Sequence, residues 1–411
     1  MIEEYDLRIG LKNETTYEGQ LTSKSIWGVL RGLETFIQLI HPSENGPFFQ
    51  IQKTNITDYP RFTHRGLLVD TSRHFISLSN LYANLDAMSY NKLNVFHWHI
   101  TDDQSFPYES KMFPLLSQKG AYDPSLVYSQ QDVQNIIEYA KLRGIRVIPE
   151  FDTPGHTRSW GVAYPEILTQ CFDNNKPNGK YGPMNPIKKL TYTFLKYLYK
   201  EINETFPDNY IHIGGDEVDK DCWLSNPDIQ EFMAQNNIKD PEQFQTIFHE
   251  ILYEIGSSLG SKLIVWEEIY AEGVNITKDV AVQVWAKSKY FDQVTEDGLN
   301  AILSSCWYLD HLSTGGDWKK YYECDPYDYV SSEKQRKFIL GGEACMWSEV
   351  VDDSNLLTRI WPRASATAEK LWSSENVNSF TSAQPRLEEH TCRMKNRGIP
   401  AQPPNGAGFC V

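Results

Sequence analysis

The chain has 411 residues, of which 40% are hydrophobic and 13% aromatic, so it is long enough to form one large domain and a smaller one. Its formal net charge of −15 would repel phosphate backbones and argues against a nucleic-acid partner. No run of about 18 consecutive apolar residues is present, which argues against a transmembrane helix. Residues 1–6 are acidic and no apolar segment follows them, so the chain shows no export signal of its own.

The first part of the chain is predicted to be a small β-α-β unit. Residues 5–9 alternate as in a strand, apolar side chains recur at helical spacing over residues 26–40, and residues 48–51 return to a strand pattern. A unit of this size is too small to fold alone, so we expect it either to pack on a larger neighbour or to be the remnant of a longer domain. We therefore predict an N-terminal α+β domain over residues 1–58 and a second domain over residues 59–411.

In the second domain, eight short apolar runs alternate with helical patterns. The runs cover residues 66–70, 93–99, 145–150, 210–215, 263–267, 280–285, 301–305 and 338–343. The interval between the fifth and sixth runs is short and predicts a helix only weakly. Eight strands that alternate with helices belong to the α/β class and fit a (β/α)8 TIM barrel better than an open sheet.

Chemically active side chains gather where these runs end. They are Arg65, Asp70, His97, His99, Asp102, Asp103, Glu150, Asp152, His156, Asp216, Glu217, Trp266, Glu267, Trp285, Trp307, Tyr308, Asp310, Glu343, Trp347 and Glu349. Strand ends that merely meet solvent would also be polar, but they would carry scattered Lys and Ser rather than Asp, Glu, His and Trp. Because barrel enzymes build their sites at this face, the pattern favours an enzyme.

The pair Asp216-Glu217 is the most informative single feature. Gly214 and Gly215 precede it and allow a tight turn with room for a ligand. A glycosidase needs a carboxylic acid to protonate the leaving oxygen and a second group to stabilise the positive centre. Glu217 is the candidate acid, and we expect the neighbouring carboxylate to raise its pKa.

A metal-dependent hydrolase is a rival interpretation of the same face. His97 and His99 share one side of a strand, and Asp or His from other strands would complete a metal site. Barrel strands also hold histidines as structural residues. The sequence favours that second use, so we predict no metal and no cofactor.

The seven cysteines indicate an oxidising compartment. Cys171 and Cys222 flank a loop-rich region, and Cys392 and Cys410 bracket the C-terminal tail, so each pair is a candidate disulfide. Spacing alone does not establish pairing, and the odd number leaves at least one free thiol.

Five motifs, in chain order, resemble those of one enzyme family. They are residues 65–74 (RGLLVDTSRH), 91–99 (NKLNVFHWH), 150–156 (EFDTPGH), 212–218 (HIGGDEV) and 341–347 (GGEACMW). With them the chain resembles the β-N-acetylhexosaminidases of glycoside hydrolase family 20, in the lysosomal animal-type branch. The resemblance implies exo-acting removal of terminal N-acetyl-β-D-hexosamine from glycans, a lysosomal or secreted location, and a homodimer.

The resemblance also implies a retaining, substrate-assisted mechanism. In it the sugar's own acetamide oxygen attacks C1 to form an oxazolinium ion, and no enzyme carboxylate becomes the nucleophile. Glu217 would be the general acid and later the base, Asp216 would orient the acetamide, and Tyr308 would donate a hydrogen bond to its oxygen. His156, with Asp102, would tune the acid.

Other residues are implied to hold the terminal sugar. The aromatic walls are Trp266, Trp285 and Trp347. The groups that bind its hydroxyls are Arg65, Asp310 and Glu349. A sugar-binding protein on an inactive barrel is a second interpretation. Such proteins lose an acid or a pocket aromatic, whereas Asp216, Glu217 and Tyr308 are all present here.

Departures from the family pattern carry further expectations. The resemblance implies a signal peptide and opening strands ahead of residue 1, so the N-terminal domain is predicted to be truncated. Asp310 would repel a 6-sulfate and favour neutral substrates, while a protonated His311 would weaken that effect. Cys306 and Cys324 fall outside the pattern, and their pairing is left open.

Overall fold

The N-terminal part forms a small antiparallel sheet with one helix. The computed structural model describes residues 2–13, 16–43, 46–311, 316–408 and 410. The N-terminal elements are β1 (Tyr5–Leu11), β2 (Tyr17–Ser23), α1 (Ile26–Gln38), β3 (His41–Pro42), β4 (Phe49–Gln50) and β5 (Thr54–Asp58). The sheet order is β2-β1-β5, so β1 is central, and β3 and β4 form a separate two-stranded sheet.

The β-α-β prediction was incomplete because it missed β2 and β5. β2 is mostly exposed on both faces and therefore lacks an apolar alternation. α1 begins where expected, after Ser25, whose side chain accepts a hydrogen bond from the backbone N–H of Gly28. The division of the chain at residue 58 stays a prediction.

The larger part is a closed barrel of eight parallel strands, as predicted. The remaining strands are β6 (His64–Asp70), β7 (Val95–Thr101), β8 (Arg146–Phe151), β9 (Leu168–Asp173), β10 (Lys176–Met184), β11 (Tyr210–His212), β12 (Lys262–Trp266), β13 (Ala281–Val284), β14 (Asn300–Leu303) and β15 (Ile339–Met346). Around the barrel the order is β6-β7-β8-β11-β12-β13-β14-β15, with β15 pairing back to β6. β9 and β10 form a separate antiparallel hairpin.

Helices alternate with the barrel strands. They are α2 (Leu78–Tyr90), α3 (Leu115–Gly120), α4 (Gln130–Lys141), α5 (Arg158–Gly161), α6 (Lys189–Thr205), α7 (Lys220–Ser225), α8 (Pro227–Gln235), α9 (Glu242–Leu259), α10 (Glu267–Ala271), α11 (Lys289–Glu296), α12 (Trp318–Glu323), α13 (Leu356–Ile360), α14 (Arg363–Trp372) and α15 (Phe380–Asn396). α10, between the fifth and sixth barrel strands, has only five residues. That agrees with the weak helical pattern of this interval.

The inside of the barrel changes from apolar to polar towards the C-terminal ends of the strands. At the bottom, a cluster of small and branched apolar side chains fills the barrel. On β7 the inward-facing residues are in turn Val95, His97 and His99, which follows from the two-residue period of a strand. Above this polar middle, Trp266 packs with Cys345 and with partly buried aromatic side chains. The barrel therefore presents charged groups directly beneath an aromatic floor.

Three disulfides tie loops to this scaffold. Cys171–Cys222 joins the β9–β10 hairpin to α7, and Cys392–Cys410 fixes the tail, as predicted. The undecided pair, Cys306 and Cys324, also forms a disulfide. Cys345 is a buried free thiol. Across the described ranges, no helix is long and apolar enough to span a membrane.

Candidate active site

A cavity of about 310 Å³ opens at the C-terminal face of the barrel. Its lining is Arg73, Asp216, Glu217, Trp266, Trp285, Tyr308, Asp310, His311, Trp347, Glu349 and Val350. Eight of the eleven predicted site residues are in this set, and His156 and Asp102 lie directly behind it. The structure thus brings ten predicted residues together and leaves one, Arg65, elsewhere.

The loop after β11 places the two carboxylates at the mouth of the cavity. Gly214 and Gly215 have φ of +68° and +108°, which ends the strand at His212 and turns the chain. A Cβ at Gly214 would lie 1.7 Å from Asp152 Oδ1, so no other residue fits. Glu217 itself has φ +48°, an uncommon backbone conformation for a non-glycine residue. The loop geometry therefore separates the two side chains: Asp216 is buried and Glu217 faces solvent.

An imidazole, rather than a carboxylate, is the charged group with the largest effect on Glu217. His156 Nε2 lies 3.6 Å from both Glu217 Oε2 and Asp216 Oδ2. Its Nδ1 is 3.2 Å from Asp102 Oδ1. The contact with His156 lowers the pKa of Glu217 below its ordinary value. The expectation that a neighbouring carboxylate raises this pKa was wrong, because the side chain is well solvated and its nearest charged neighbour is positive.

Four aromatic rings wall the cavity. The Trp266 and Trp347 rings lie 6.0 Å apart at an angle, and Trp285 stacks on Tyr308 at 5.9 Å. Trp266 donates a 2.7 Å hydrogen bond from Nε1 to Glu150 Oε1, which fixes the floor of the cavity. The walls are held from behind, so they present an apolar face to a ligand.

Two glutamates that the sequence reasoning did not assign fix Trp285. Glu267 accepts hydrogen bonds from the backbone N–H of Trp285, at 2.8 Å, and from the two residues after it. Glu268 accepts from Trp285 Nε1 at 3.1 Å. Burial, reinforced by the negative charge of Asp216, raises the pKa of Glu268 to about 8. Both glutamates follow a strand end, but only Glu267 stood out as polar after its run.

The segment after β14 carries Tyr308 and Asp310. Tyr321 donates from its hydroxyl to the backbone oxygen of Tyr308 at 3.1 Å, and Leu309 N–H donates to Cys345 O at 2.8 Å. Asp310 Oδ1 is buried and has no hydrogen-bond partner among the described residues. Burial raises the pKa of Asp310. An unpartnered carboxylate oxygen at a cavity wall is a natural contact for a ligand hydroxyl.

Arg65 was predicted to bind the sugar, and the structure contradicts this. It lies near the start of β6, fully buried, where Nη2 contacts Glu3 Oε1 at 2.7 Å and the guanidinium stacks on Trp372 at 4.9 Å. Arg73, eight residues later, lines the cavity instead. The prediction failed because Arg65 lies near the N-terminal end of β6, whereas the cavity lies beyond the C-terminal end of the strand.

Arg73 is held rigidly at the cavity. Its Nη1 contacts Asp70 Oδ2 at 3.1 Å, its Nη2 contacts Asp102 Oδ2 at 2.8 Å, and its guanidinium covers the Trp347 ring at 4.9 Å. Burial opposes its charge, but the two aspartates outweigh burial and raise its pKa. The motif that contains Arg73 was noted in the sequence, but its position past the strand end was not used.

The histidines of the rival metal interpretation contact carboxylates. His99 lies 2.7 Å from Glu150 Oε2 and 2.9 Å from Asp102 Oδ2 through its two ring nitrogens. His97 lies 2.8 Å from Glu343 Oε2 and 2.9 Å from Glu150 Oε2. These contacts give both imidazoles a use within the protein, as members of a buried charged network.

Sequence comparison identifies the family. Residues 62–375 match the model of the glycosyl hydrolase family 20 catalytic domain, and residues 1–39 match a beta-acetyl hexosaminidase-like domain. Beta-hexosaminidase subunit beta of Felis catus is 49% identical over 394 residues, covering 95% of this chain and 74% of that protein. Beta-hexosaminidase subunit alpha of Bos taurus is 47% identical over 417 residues, covering 100% and 78%.

Solved structures agree. The Flavobacterium johnsoniae chitobiase superposes with a TM-score of 0.86 at 34% identity, covering 97% of this chain; the chain spans 60% of that enzyme. The exo beta-N-acetylglucosaminidase of Vibrio harveyi, solved with N-acetylglucosamine, gives 0.87 at 27% identity, covering 98% and 68%. With the barrel and the matching domain, these findings show that the chain belongs to glycosyl hydrolase family 20, whose members hydrolyse terminal N-acetylhexosamine residues by a retaining oxazolinium mechanism.

Proposed function

We propose that the cavity binds one terminal N-acetyl-β-hexosamine and that Asp216 and Glu217 divide the chemistry between them. The observation that carries this proposal is the contrast between the two adjacent carboxylates. Asp216 Oδ1 is buried and unpartnered within the described protein, beside the tryptophan walls, while Glu217 is solvated at the mouth. This contrast supports a role for Asp216 opposite a positive charge inside the pocket and a role for Glu217 beside a leaving group that extends out of it.

The reaction assigned to these groups has two balanced steps. In the first, the acetamide oxygen bonds to C1 as the bond from C1 to the glycosidic oxygen breaks, and Glu217 gives its proton to that oxygen. Asp216 accepts the acetamide N–H and offsets the charge of the oxazolinium ion, while Tyr308 donates to the acetamide oxygen. In the second, Glu217 removes a proton from water, which attacks C1 and opens the ring. Two inversions at C1 give net retention.

The remaining contacts position the sugar. Trp266, Trp285 and Trp347 enclose the acetamide and the sugar face, which holds the acetamide in attack geometry. Arg73 replaces Arg65 as the cationic donor to sugar hydroxyls, with Asp310 and Glu349 as acceptors. His156 and Asp102 do not reach the sugar in this scheme; they orient Glu217.

The acid must carry a proton when the substrate binds. In the free protein His156 lowers the pKa of Glu217, so the acid is ionised at neutral pH. A bound sugar would remove water from Glu217, and loss of hydration raises a carboxyl pKa. We therefore expect an acidic pH optimum, in keeping with a lysosomal or secreted protein that carries three disulfides.

Hydrolysis of p-nitrophenyl N-acetyl-β-glucosaminide tests the assignment. Glu217→Gln should lower kcat by roughly 10²–10⁴-fold on an oligosaccharide, whose leaving group needs protonation, and by less on the p-nitrophenyl substrate, whose phenolate leaves readily; sugar binding should stay intact. Glu138→Gln is the matched control, because its side chain is 61% exposed, as is that of Glu217, but lies on α4 away from the cavity. A folded protein without activity, or equal losses in both variants, would overturn the assignment.

The partly buried carboxylate of Asp310 also supports a preference for neutral sugars. A 6-sulfate near this side chain would meet a second negative charge in a poorly solvated site. His311 Nε2 lies 4.0 Å from Asp310 Oδ2 and would offset part of this charge when protonated. We expect the neutral substrate to show the higher kcat/KM, and equal rates with a 6-sulfated analogue would contradict this expectation.

We further infer that the protein assembles as a homodimer. The two animal relatives described above are named as subunits, and they match 95% and 100% of this chain. Light scattering on the purified protein should give twice the mass of 47.4 kDa. A monomer at micromolar concentration would contradict the inference.

A further inference from the structure

A continuous chain of imidazoles and carboxylates runs inside the barrel up to the active site. From the bottom upward it contains His64, Glu343, His97, Glu150, His99 and Asp102, and we call it the histidine–carboxylate chain. The contact distances in this order are 2.5, 2.8, 2.9, 2.7 and 2.9 Å. The chain then continues through Asp102 to His156, which faces Glu217.

This chain is built into the fold. All six members are at least nine-tenths buried, and they come from β6, β7, β8, β15 and the loop after β7. Gly66 leaves room for one of them, since a Cβ there would lie 2.3 Å from Glu343 Cγ. Gln283 donates from Nε2 to Glu343 Oε2 at 2.9 Å, and Trp266 donates to Glu150. Trp266, which forms the floor of the cavity, is therefore hydrogen-bonded to the histidine–carboxylate chain.

The contacts fix an alternation of charge. Burial opposes a charged imidazole, but Glu343 and Glu150 raise the pKa of His97 to about 9, and Glu150 and Asp102 raise that of His99 to about 10. His99 is hydrogen-bonded to Glu150 and Asp102 through its two ring nitrogens, whereas His97 is hydrogen-bonded to Glu343 and forms an ion-pair contact with Glu150. His212, beside Glu150, differs because its Nδ1 accepts from Gly214 N–H, and burial lowers its pKa.

We propose that the histidine–carboxylate chain extends the catalytic apparatus, with Glu150 and His99 as positioning residues that set the pH range in which Glu217 and Asp216 work. The pair Glu150/His99 is a buried dipole whose positive end lies towards the active site. The groups that face this end are Asp102, Arg73 and His156, and beyond them lie Asp152, Asp216 and Glu217. The inference rests on the roles proposed above for Glu217 and Asp216.

Glu150→Gln removes the dipole with little change of shape. Trp266 Nε1 would hold the new amide oxygen in place of Oε1, so the amide –NH2 would lie against His97 and His99. Both rings would then act as neutral acceptors on that side. The active site loses the positive charge of His99, which is nearer to it than the negative charge of Glu150. The site becomes more negative, and this raises the pKa values of its carboxyl groups. Both limbs of the bell-shaped kcat/KM profile should move to higher pH by about half a unit or more.

The experiment compares kcat/KM from pH 3 to 8 for the wild type, Glu150→Gln, and a matched control, on the p-nitrophenyl substrate. Glu201→Gln is the control: Glu201 is also a buried carboxylate, but it accepts from Ser110 and the backbone around residues 111–112. The two limbs of the pH profile of Glu201→Gln should stay where they are in the wild type. A purely structural role for Glu150 would lower stability or kcat and leave the limbs unshifted.

A second variant covers the case in which Glu150→Gln does not fold. His99→Gln keeps an amide donor for Asp102 and removes the positive charge, so the limbs should again move to higher pH. Unmoved limbs in a folded variant, or a shift to lower pH, would overturn the inference. Wild-type protein that does not hydrolyse the substrate would instead overturn the proposed function.

Discussion

The two residues that face each other across the acid site both have left-handed backbones. Glu217 has φ +48° and His156 has φ +55°, and such conformations cost of order 1–3 kcal/mol for non-glycine residues. The surrounding contacts maintain both, since Asp102 holds the His156 ring and Asp152 accepts the Gly215 N–H at 2.8 Å. Asp152 is buried, and burial together with the charge of Asp216 raises its pKa. We infer that the loops hold Glu217 against His156 before any substrate binds.

The two arginines near β6 provide the sharpest comparison between single residues. Arg73→Lys should lower kcat/KM by roughly tenfold to a hundredfold, because one ammonium cannot contact Asp70 and Asp102 and also reach a sugar hydroxyl. Its melting temperature should change little. Arg65→Lys should instead destabilise the protein by about 2 kcal/mol or more and leave KM unchanged, since its guanidinium contacts Glu3, backbone oxygens and the Trp372 ring, away from the cavity. Steady-state kinetics and thermal unfolding of the two variants check both predictions. A loss of kcat/KM in Arg65→Lys and a loss of stability in Arg73→Lys would instead place Arg65 in the sugar-binding site.

At the scale of elements, the segment between β14 and α12 carries Tyr308 and Asp310, the groups that we propose to contact the acetamide and the sugar. Cys306–Cys324 closes a loop that contains Tyr308, Asp310 and α12, and hydrogen bonds from this loop to Cys345 on β15 and from Tyr321 on α12 hold the backbone around Tyr308. Cys392–Cys410 closes a segment of the same sequence separation, 18 residues, at the C-terminal tail. The two disulfides therefore differ in what they position and not in the length of chain that they close.

Removing the Cys306–Cys324 or the Cys392–Cys410 disulfide should have similar effects on the free energy of unfolding but different effects on KM. By the chain-entropy account, a bridge over 18 residues contributes about 3 kcal/mol, so both double Cys→Ser variants should lose similar stability. Only the Cys306/Cys324 variant should raise KM, because only that segment carries Tyr308 and Asp310. Unfolding in urea and substrate titration measure the two effects. A higher KM in the Cys392/Cys410 variant, or none in the other, would contradict this account.

The barrel and most of its site were predictable because they leave a periodic signal. Buried parallel strands form dense apolar runs, and each run ends in residues that meet at one face. The β9–β10 hairpin left no such signal, since β10 reads KPNGKYGPM. The prediction for Arg65 ignored its position along the strand. Arg65 precedes Asp70 by five residues, or roughly 16 Å of strand, so its side chain cannot reach the C-terminal face of the barrel. The acid's pKa could not be predicted, because His156 comes close only through the turn at residues 153–157.

At the scale of the whole molecule, one buried cluster of charges joins the N-terminal sheet to the barrel. Glu3 contacts Arg31 at 2.9 Å and Arg65 at 2.7 Å, and Arg31 donates to the backbone oxygen of Gly144 at 2.8 Å. Burial alone would raise the pKa of Glu3, but the two guanidiniums outweigh burial and lower it. The N-terminal part is therefore coupled to the barrel through a charged contact as well as through apolar packing.

Glu3→Gln tests this coupling. The variant leaves two buried guanidiniums without a carboxylate, and breaking a buried pair in this way costs about 3–5 kcal/mol. Glu3 has a lowered pKa in the folded state, so its contribution is fully present above its unfolded pKa of about 4.3 and is lost as pH falls through the folded value. Urea unfolding at pH 7 measures the loss, with Glu4→Gln, an exposed neighbour, as the control. Equal stability of both variants would show that the cluster does not couple the two parts.

In the proposed reaction the substrate's own acetamide performs the nucleophilic step. Substrates whose N-acetyl group carries one, two or three fluorines test it most directly, because fluorine withdraws electron density from the attacking oxygen. For the wild-type protein, kcat/KM should fall steadily along this series by about a hundredfold or more, which corresponds to ~2.7 kcal/mol of lost transition-state stabilisation. A kcat/KM that does not change with fluorination would contradict substrate assistance and point to an enzyme carboxylate as the nucleophile.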